Sequence, residues 1–144
     1  MQTINSRFGE IEYSRDNVVV FPKGLIGFEQ LHNFIVMPKT KEGPLFWIQS
    51  TEDQEIAFIL TDPSSFFPDY DIVPDEEERN LLGIEAGGEY HILSVVTVTP
   101  EQKITLNLVA PVLYSPSSNR ALQVLLENSP YDIRTPLPPI TKAP

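Results

Sequence analysis

The sequence of 144 residues contains no cysteine, which excludes disulfide bonds and metal sites built from thiolates. It also has no apolar run approaching the ~20 residues that a membrane-spanning helix requires. Residues 1–7 lack the apolar stretch of a signal peptide. These absences are typical of a reducing compartment, and we therefore expect a cytoplasmic protein that does not act at a membrane.

Motifs of several enzyme classes are missing as well. No Gly-x-Ser-x-Gly nucleophile motif occurs. The glycines of residues 24–27 lack the further glycines and the Lys-Ser/Thr pair of a nucleotide-binding loop. The two histidines, His32 and His91, have no cysteine or second histidine at ligand spacing. We therefore expect no enzyme activity and no cofactor.

Three aspartates, Asp69, Asp71 and Asp75, have the spacing of the first, third and seventh positions of a calcium-binding EF-hand loop. However, Pro74 replaces the required glycine and Asn80 replaces the closing glutamate, so we expect no metal there. Paired carboxylates could also hydrolyse a glycosidic bond, but no pair in this sequence stands out. A hydrolase or a ligand-binding β-barrel that uses the acidic loop remains the alternative function.

One segment carries nearly all of the net charge of −10. From Glu52 to Glu89 there are twelve acidic residues and one basic residue, Arg79, which sum to −11. The rest of the chain has eight acids and nine bases. An acidic surface repels nucleic acid and steers toward basic partners, so we expect no direct nucleic-acid binding. Solubility alone is the other interpretation of this charge.

Short runs rich in Val, Ile, Phe and Tyr recur between glycines and prolines, which is typical of an all-β domain. Strands are predicted at residues 11–13, 17–21, 33–37, 45–50, 56–60, 90–99, 104–109 and 112–114. Residues 121–127 fit a helix face about as well as a buried strand. Four of the last ten residues are proline, and we expect residues 138–144 to form a flexible tail.

One short helix is predicted near residues 75–83. Asp75 can cap its N-terminus, and Glu78 completes a capping box. Acidic residues in the first turn suit the helix dipole, and Gly83 can end the helix.

Four groups of sequence segments together resemble a known family. They are residues 21–29, residues 46–50 with 56–58, 62–63, 66 and 69–70, residues 95–98 with 105–111, and residues 123–126 with Tyr131 and Arg134. In this order and at these separations they resemble the flagellar assembly factor FliW. The resemblance covers nearly the whole chain, so we expect one FliW-like domain over residues 1–137.

The resemblance implies a compact, antiparallel β-barrel-like single domain, in which residues 121–127 form a strand. We expect most of the residues that carry the resemblance to have structural roles. Glycines permit turns that a Cβ would hinder, and aromatic residues occur more often in an apolar core than in a binding site. Asn107 is expected to hydrogen-bond a neighbouring loop. The shared residues expected to be structural are Phe21, Pro22, Gly24, Gly27, Phe28, Trp47, Asp62, Pro63, Asn107 and Pro111.

The resemblance also implies two protein partners and no catalytic residue. Proteins of this family bind CsrA, an RNA-binding repressor of flagellin translation, and they bind flagellin itself. Flagellin that accumulates occupies the FliW protein and frees CsrA to repress. Flagellin export returns the FliW protein to CsrA, and translation resumes.

We expect the loop from Phe67 to Glu78 to contact CsrA, with Tyr70 as an aromatic anchor and the acids for steering. A solvated acidic face is the other interpretation of this loop. Phe66, Phe67 and Tyr70 could receive an apolar helix of flagellin or could plug the end of the barrel. The candidate contact residues are Phe67, Asp69, Tyr70, Asp71, Asp75, Glu76, Glu77 and Glu78.

Overall fold

The computed structural model describes residues 2–6, 9–37, 45–98, 100–101, 103–126 and 135–136. Within them, the chain is mostly β-sheet. The strands are β1 (Gln2–Ser6), β2 (Gly9–Tyr13), β3 (Val18–Val20), β4 (Asn33–Met37), β5 (Leu45–Ser50), β6 (Ala57–Thr61), β7 (His91–Val98), β8 (Ile104–Leu106), β9 (Val112–Ser115), β10 (Arg120–Gln123) and β11 (Thr135–Pro136). One α-helix, α1 (Glu76–Leu82), and two short 3₁₀ turns, Arg15–Asn17 and Pro63–Ser65, complete the described part.

Seven strands close into a barrel in the order β7-β6-β5-β4-β3-β10-β9, because β9 pairs back onto β7. Strand β7 allows this closure because its two ends have different neighbours on one edge. Residues His91–Leu93 pair with β9, whereas Val96–Val98 pair with β8. The predicted all-β barrel is confirmed. However, β3 and β10 pair in parallel, so the barrel is not wholly antiparallel.

A row of phenylalanine rings fills the middle of the barrel. The ring centroids of Phe21 and Phe34 lie 5.1 Å apart, those of Phe34 and Phe58 6.0 Å, and those of Phe58 and Phe28 5.2 Å. The Phe21–Phe34 and Phe58–Phe28 pairs are edge-to-face, a geometry that contributes about 0.5–1.5 kcal/mol each beyond the buried area. The four rings belong to one apolar cluster of the core.

Two segments cover the outer wall of the barrel. The antiparallel hairpin of β1 and β2 packs over Ile35 through its own buried residue Tyr13, and Trp47 is half-buried beside them. Residues 62–90, which join β6 to β7 and include α1, cover much of the remaining wall. We call them the acidic connection. Strand β1 has no counterpart in the sequence prediction because Ile4 is its one apolar residue.

Two predicted strands end earlier in the structure than the sequence predicts. Strand β8 ends at Leu106 rather than residue 109, because Asn107 Oδ1 accepts hydrogen bonds from the amides of Val109 and Ala110. Asn107 therefore turns its own loop, and the predicted bond to a neighbouring loop is wrong. The strand predicted at 121–127 ends at Gln123, and residue 127 lies outside the described residues. The predicted tail, 138–144, also lies outside them.

Candidate partner-binding surface

The acids between Glu52 and Glu89 fall into two groups that strand β6 separates. Three lie in the turn between β5 and β6, and nine lie in the acidic connection at the other end of β6. At about 3.3 Å per residue, the five residues of β6 place the groups about 16 Å apart along the strand. The prediction of one acidic surface over the whole segment is therefore wrong. The larger group is the candidate surface.

The smaller group has a structural use in the turn. Glu52 Oε1 accepts hydrogen bonds from the backbone amides of His32 and Asn33, at 2.7 and 2.8 Å. Asp53 Oδ1 accepts one from the amide of Glu55. Beside them, the buried side chain of Gln49 donates to the carbonyls of Ser50 and Ile56 and so fixes the same turn.

Helix α1 begins and ends as its sequence predicts. Asp75 Oδ1 accepts from the amide of Glu78 at 2.8 Å, and Glu78 Oε1 accepts from the amide of Asp75 at 2.9 Å. Gly83 closes the helix at a φ of 74° and donates to Asn80, while Ile84 donates to the carbonyl of Arg79. This double cap holds two turns of helix that would be marginal on their own.

Apolar burial fixes α1 to the barrel. Leu82 is fully buried and packs with Leu113 of β9 and Leu122 of β10. The hydroxyl of Ser118, in the β9–β10 turn, donates to the carbonyl of Leu82 at 2.5 Å. The acids of the helix lie in its first turn, where Glu76 and Glu77 are exposed.

Two tyrosines fix the rest of the acidic connection through hydrogen bonds to backbone. Tyr70 Oη donates to the carbonyl of Leu108 at 2.7 Å, and Tyr90 Oη donates to that of Ile72 at 2.8 Å. Burial raises the pKa of Tyr90, and the negative charge of Asp71 raises it further. The connection is therefore held at several points although it contains no strand.

Tyr70 is predicted from the sequence to be the aromatic anchor of the partner contact, but it is buried and therefore not available to a partner. Only 5% of Tyr70 is exposed, and its ring packs with Val96, Leu106 and Leu108 on the outer wall. Phe67 and Phe66 are half-buried against the same cluster. These aromatic residues cover the wall of the barrel and do not plug its end.

The predicted acids are accessible. Asp69, Asp71, Asp75, Glu76 and Glu77 are exposed, and Glu78 is half-buried. Among the described residues, no lysine or arginine side chain lies within ion-pair distance of a carboxylate in the acidic connection. Glu89 Oε2 lies 3.2 Å from His91 Nε2. Of the charged side chains in the acidic connection itself, nine are acidic and one, Arg79, is basic.

One residue of this surface was missed from the sequence. Val73 is 75% exposed, between Asp71 and Asp75. Its neighbour Ile72 is half-buried and Pro74 is buried, so the chain turns Val73 outward. An apolar residue among acids in a loop is the signal that could have drawn attention to it.

The described residues also contain neither a candidate metal site nor a candidate membrane span. In the part of the chain that the structure describes, no group of three or more His, Asp or Glu side chains could hold a metal ion. No helix there is long and apolar enough to cross a membrane.

Comparisons with known proteins bear on the whole chain. The sequence model of the FliW protein family matches residues 2–137. The chain belongs to the FliW family. Flagellar assembly factor FliW 2 of Desulfotalea psychrophila is 56% identical over 142 residues, which are 99% of this chain and 94% of that protein. Flagellar assembly factor FliW of Syntrophotalea carbinolica is 58% identical over 137 residues, covering 95% of this chain and 98% of the relative.

The fold agrees with this membership. A crystal structure of the flagellar assembly factor FliW matches 98% of this chain and 100% of its own, with a TM-score of 0.85 at 27% identity. This chain therefore has the fold of a solved FliW protein.

The residues that carry the family resemblance in the sequence lie in the barrel interior, in its turns or beneath its outer coverings. At Gly24 the φ is +67°, and a Cβ would lie 2.6 Å from the carbonyl oxygen of Phe28, so only glycine fits. Asp62 Oδ1 caps the turn that follows β6 by accepting from the amide of Ser64 at 2.9 Å. Phe21, Pro63 and Pro111 are buried, while Pro22, Phe28, Trp47 and Asn107 are half-buried and Gly27 is exposed.

Proposed function

We propose that this chain is a non-catalytic, protein-binding regulator of flagellum assembly that binds the translational repressor CsrA and, in exchange, flagellin. Two curated relatives that align along nearly their whole length are flagellar assembly factors. The partner pair follows from the family resemblance. In this scheme flagellin export leaves the chain free to hold CsrA, and flagellin translation resumes.

The observation that carries the proposal is the concentration of negative charge in the acidic connection. Nine acids lie in this segment, and its backbone is fixed by Tyr70, Tyr90 and Leu82. A fixed field of one sign attracts a partner of the opposite sign and speeds its encounter. An RNA-binding protein is such a partner because it must neutralise phosphate charge.

Within this surface we assign two kinds of contact. Asp69, Asp71, Glu76 and Glu77 are exposed and supply the steering charge. Val73 supplies the apolar anchor in place of Tyr70, because its side chain is largely exposed among these acids. An anchor surrounded by charge gives both affinity and orientation.

The same charge suggests how CsrA loses its RNA. A negative surface docked beside the RNA path raises the energy of the phosphate backbone there through Coulomb repulsion. RNA binding is then weakened even where this chain does not occupy the RNA site. In this mechanism the effect on RNA is strongest at low ionic strength.

A pull-down with CsrA and flagellin, separately and in competition, tests the exchange. The structure limits which glutamates should be altered. Glu78 belongs to the capping box, so the variant reverses only Glu76 and Glu77 to lysine. The matched control reverses Glu10 and Glu12, which are exposed on the hairpin at strand β2.

We expect the wild-type chain to retain each partner and flagellin to displace CsrA. The Glu76→Lys/Glu77→Lys variant should lose CsrA, whereas the hairpin control should retain it. If neither partner is retained, the proposed function is wrong. If the two double variants retain CsrA equally, the partner binding stands but its assignment to the acidic connection fails.

A further inference from the structure

An apolar groove opens at the end of the barrel where the parallel strands β3 and β10 finish. The loop after β3, the loop between β8 and β9 and the chain after β10 contribute to its walls. The acidic connection is attached at the other end of the barrel, after β6 and before β7. The apolar side chains that line the groove include Leu25, Ile26, Phe58, Val95, Val109 and Leu125.

The floor of this groove can be reached from solvent. Ile26 is 53% exposed and Leu125 is 62% exposed, and the other lining residues Phe58, Val95 and Val109 are half-buried. Single exposed apolar side chains are ordinary, whereas a contiguous apolar patch marks an interaction site. A partner side chain can therefore contact this patch while the barrel interior stays packed.

Gln123 holds the walls of the groove together. Its Oε1 accepts a hydrogen bond from the amide of Ile26 at 2.7 Å, and its Nε2 donates to the carbonyl of Ala110 at 3.0 Å. One side chain thus joins strand β10 to the loops on either side of it. A site that is already formed loses less conformational entropy when a partner binds.

The backbone beside the groove has the geometry of a strand edge. The amides of Val124 and Leu126 donate to the carbonyls of Pro111 and Val109, at 2.9 and 2.8 Å. Backbone groups of successive residues in an extended chain point to opposite edges. The amide and carbonyl of Leu125 therefore face away from that pairing, toward the side on which β3 lies.

Strand β3 does not reach far enough to cover this edge. It pairs with β10 only at Val20 and Arg120. Pro22 follows two residues later and has no N–H with which to continue the ladder. In the described part of the chain, no group accepts a hydrogen bond from the Leu125 amide. The edge is thus open directly beside the apolar patch.

The charges near the groove indicate which partner fits it. In the loop that carries Ile26, Glu29 Oε2 accepts from the amide of Gly27 at 3.0 Å. Glu52 ties the same loop to the β5–β6 turn by accepting from the amide of His32. This loop and this turn together carry four exposed acids and one exposed lysine. A basic partner is therefore attracted to this end of the barrel.

The same features disfavour two other occupants. A second copy of the chain would bring the same excess of acids against itself, and like charges repel. The C-terminal residues of this chain are poor strand formers, because four of the last ten are proline and lack the N–H that a strand donates. A separate protein partner is left.

We propose that the groove is a docking site for an extended segment of a protein partner. The segment pairs with the open backbone at Leu125, places apolar side chains against Ile26 and Leu125, and carries lysine or arginine beside them. Strand addition of this kind gains affinity from main-chain hydrogen bonds and specificity from alternate side chains. The proposal is independent of the proposed function, because it uses neither the acidic connection nor the partners assigned to it.

A synthetic peptide, acetyl-Lys-Leu-Thr-Leu-Lys-amide, is the probe. Its two leucines lie on one face when it is extended, and its lysines flank them. The comparator replaces both lysines by glutamate. The readout is the amide NMR spectrum of the full chain, in which Ile26 and Leu125 report on the groove, together with hydrogen exchange at the Leu125 amide.

Two variants place a charge in the groove from different walls, Ile26→Asp and Leu125→Asp. Both positions are largely exposed, so neither variant disturbs the packed core. The matched control is Val98→Asp. Val98 is 51% exposed on β7 and is not part of the lining.

We expect the lysine peptide to shift the Ile26 and Leu125 amide signals saturably and to slow exchange of the Leu125 amide. Each groove variant should weaken binding about tenfold, the glutamate peptide should bind about tenfold more weakly, and Val98→Asp should bind as the wild type does. The absence of a saturable shift would overturn the proposal, as would equal binding by the groove variants or by the glutamate peptide. Unchanged exchange at Leu125 in the bound state would contradict strand addition. Dimers that form without peptide and are abolished by Leu125→Asp would assign the edge to a second copy and also overturn the proposal.

Discussion

The hairpin and the acidic connection cover the same barrel, but they are held to it by different means. The hairpin pairs β1 with β2 through five residue pairs, so its backbone groups satisfy one another. Apolar burial of residues such as Tyr13 and Ile11 is then sufficient to dock it. The acidic connection contains no strand. Its carbonyls at Ile72 and Leu82 accept side-chain hydroxyls instead.

This difference indicates where single substitutions matter. A buried backbone group without a partner destabilises the fold, and a segment without strands must find that partner in specific side chains. The acidic connection should therefore be sensitive at a few named positions, whereas the hairpin should be more tolerant. These side-chain hydrogen bonds hold the charges of the acidic connection in one geometry.

The largest expected effect is at Leu82. Replacing this fully buried residue by alanine should lower the free energy of unfolding by about 2–5 kcal/mol, because a cavity opens against Leu113 and Leu122. Urea denaturation measures the change. Ile11→Ala in the half-buried hairpin face should cost less. A larger loss of unfolding free energy for Ile11→Ala than for Leu82→Ala would mean that the hairpin is more sensitive to substitution than the acidic connection.

Tyr70→Phe should have the next effect, a loss of about 1–3 kcal/mol, because the carbonyl of Leu108 loses the hydroxyl that it accepts. The ring itself stays in place. Thermal and urea denaturation measure the loss. Leu125→Ala, at a 62% exposed position, should stay within about 0.5 kcal/mol and serves as the control. Equal small losses would mean that the hydroxyl contributes nothing to docking.

Asp75→Ala should cost about 1 kcal/mol, because the amide of Glu78 loses its cap. Hydrogen exchange at that amide should quicken while exchange in strand β4 stays slow. Asp75→Asn keeps an accepting oxygen and should restore most of the protection. Uniform loss of protection across the barrel would contradict a local role.

The smallest effect concerns alkaline pH. Tyr90 and Tyr114 ionise in the folded state at a pKa above their ordinary value of 10.0, mainly because burial disfavours the phenolate. Their contribution to stability is therefore fully present below pH 10 and is lost as pH rises through the folded-state pKa values. Tyr90→Phe should reduce this loss between pH 10 and 12 in denaturation experiments. An unchanged pH dependence would show that Tyr90 does not contribute.

Local patterns in the sequence predict the local parts of this structure well. The ends of α1 follow from Asp75, Glu78 and Gly83, since a helix cap depends on neighbouring residues only. Strands β4 and β5 begin and end at their predicted residues. In each case the physical cause lies within a few residues of its effect.

Features that depend on distant residues were not predictable in this way. In the sequence Tyr70 is predicted to be an aromatic anchor within an acidic loop, but Leu108, 38 positions along the chain, provides its hydrogen-bond partner. The parallel pairing of Val20 with Arg120 joins residues that no local pattern connects. The division of the acidic surface also depends on the barrel, because β6 carries its two groups to opposite ends.

The most direct test of the central claim is the association rate of CsrA measured against ionic strength. For the wild-type chain the rate should be fast at low salt and should fall steeply as salt is added. The Glu76→Lys/Glu77→Lys variant should associate about tenfold more slowly at low salt and approach the wild type at high salt. The Glu10→Lys/Glu12→Lys control should follow the wild-type curve. Equal rates for the wild type and the Glu76/Glu77 variant at low salt would contradict the account.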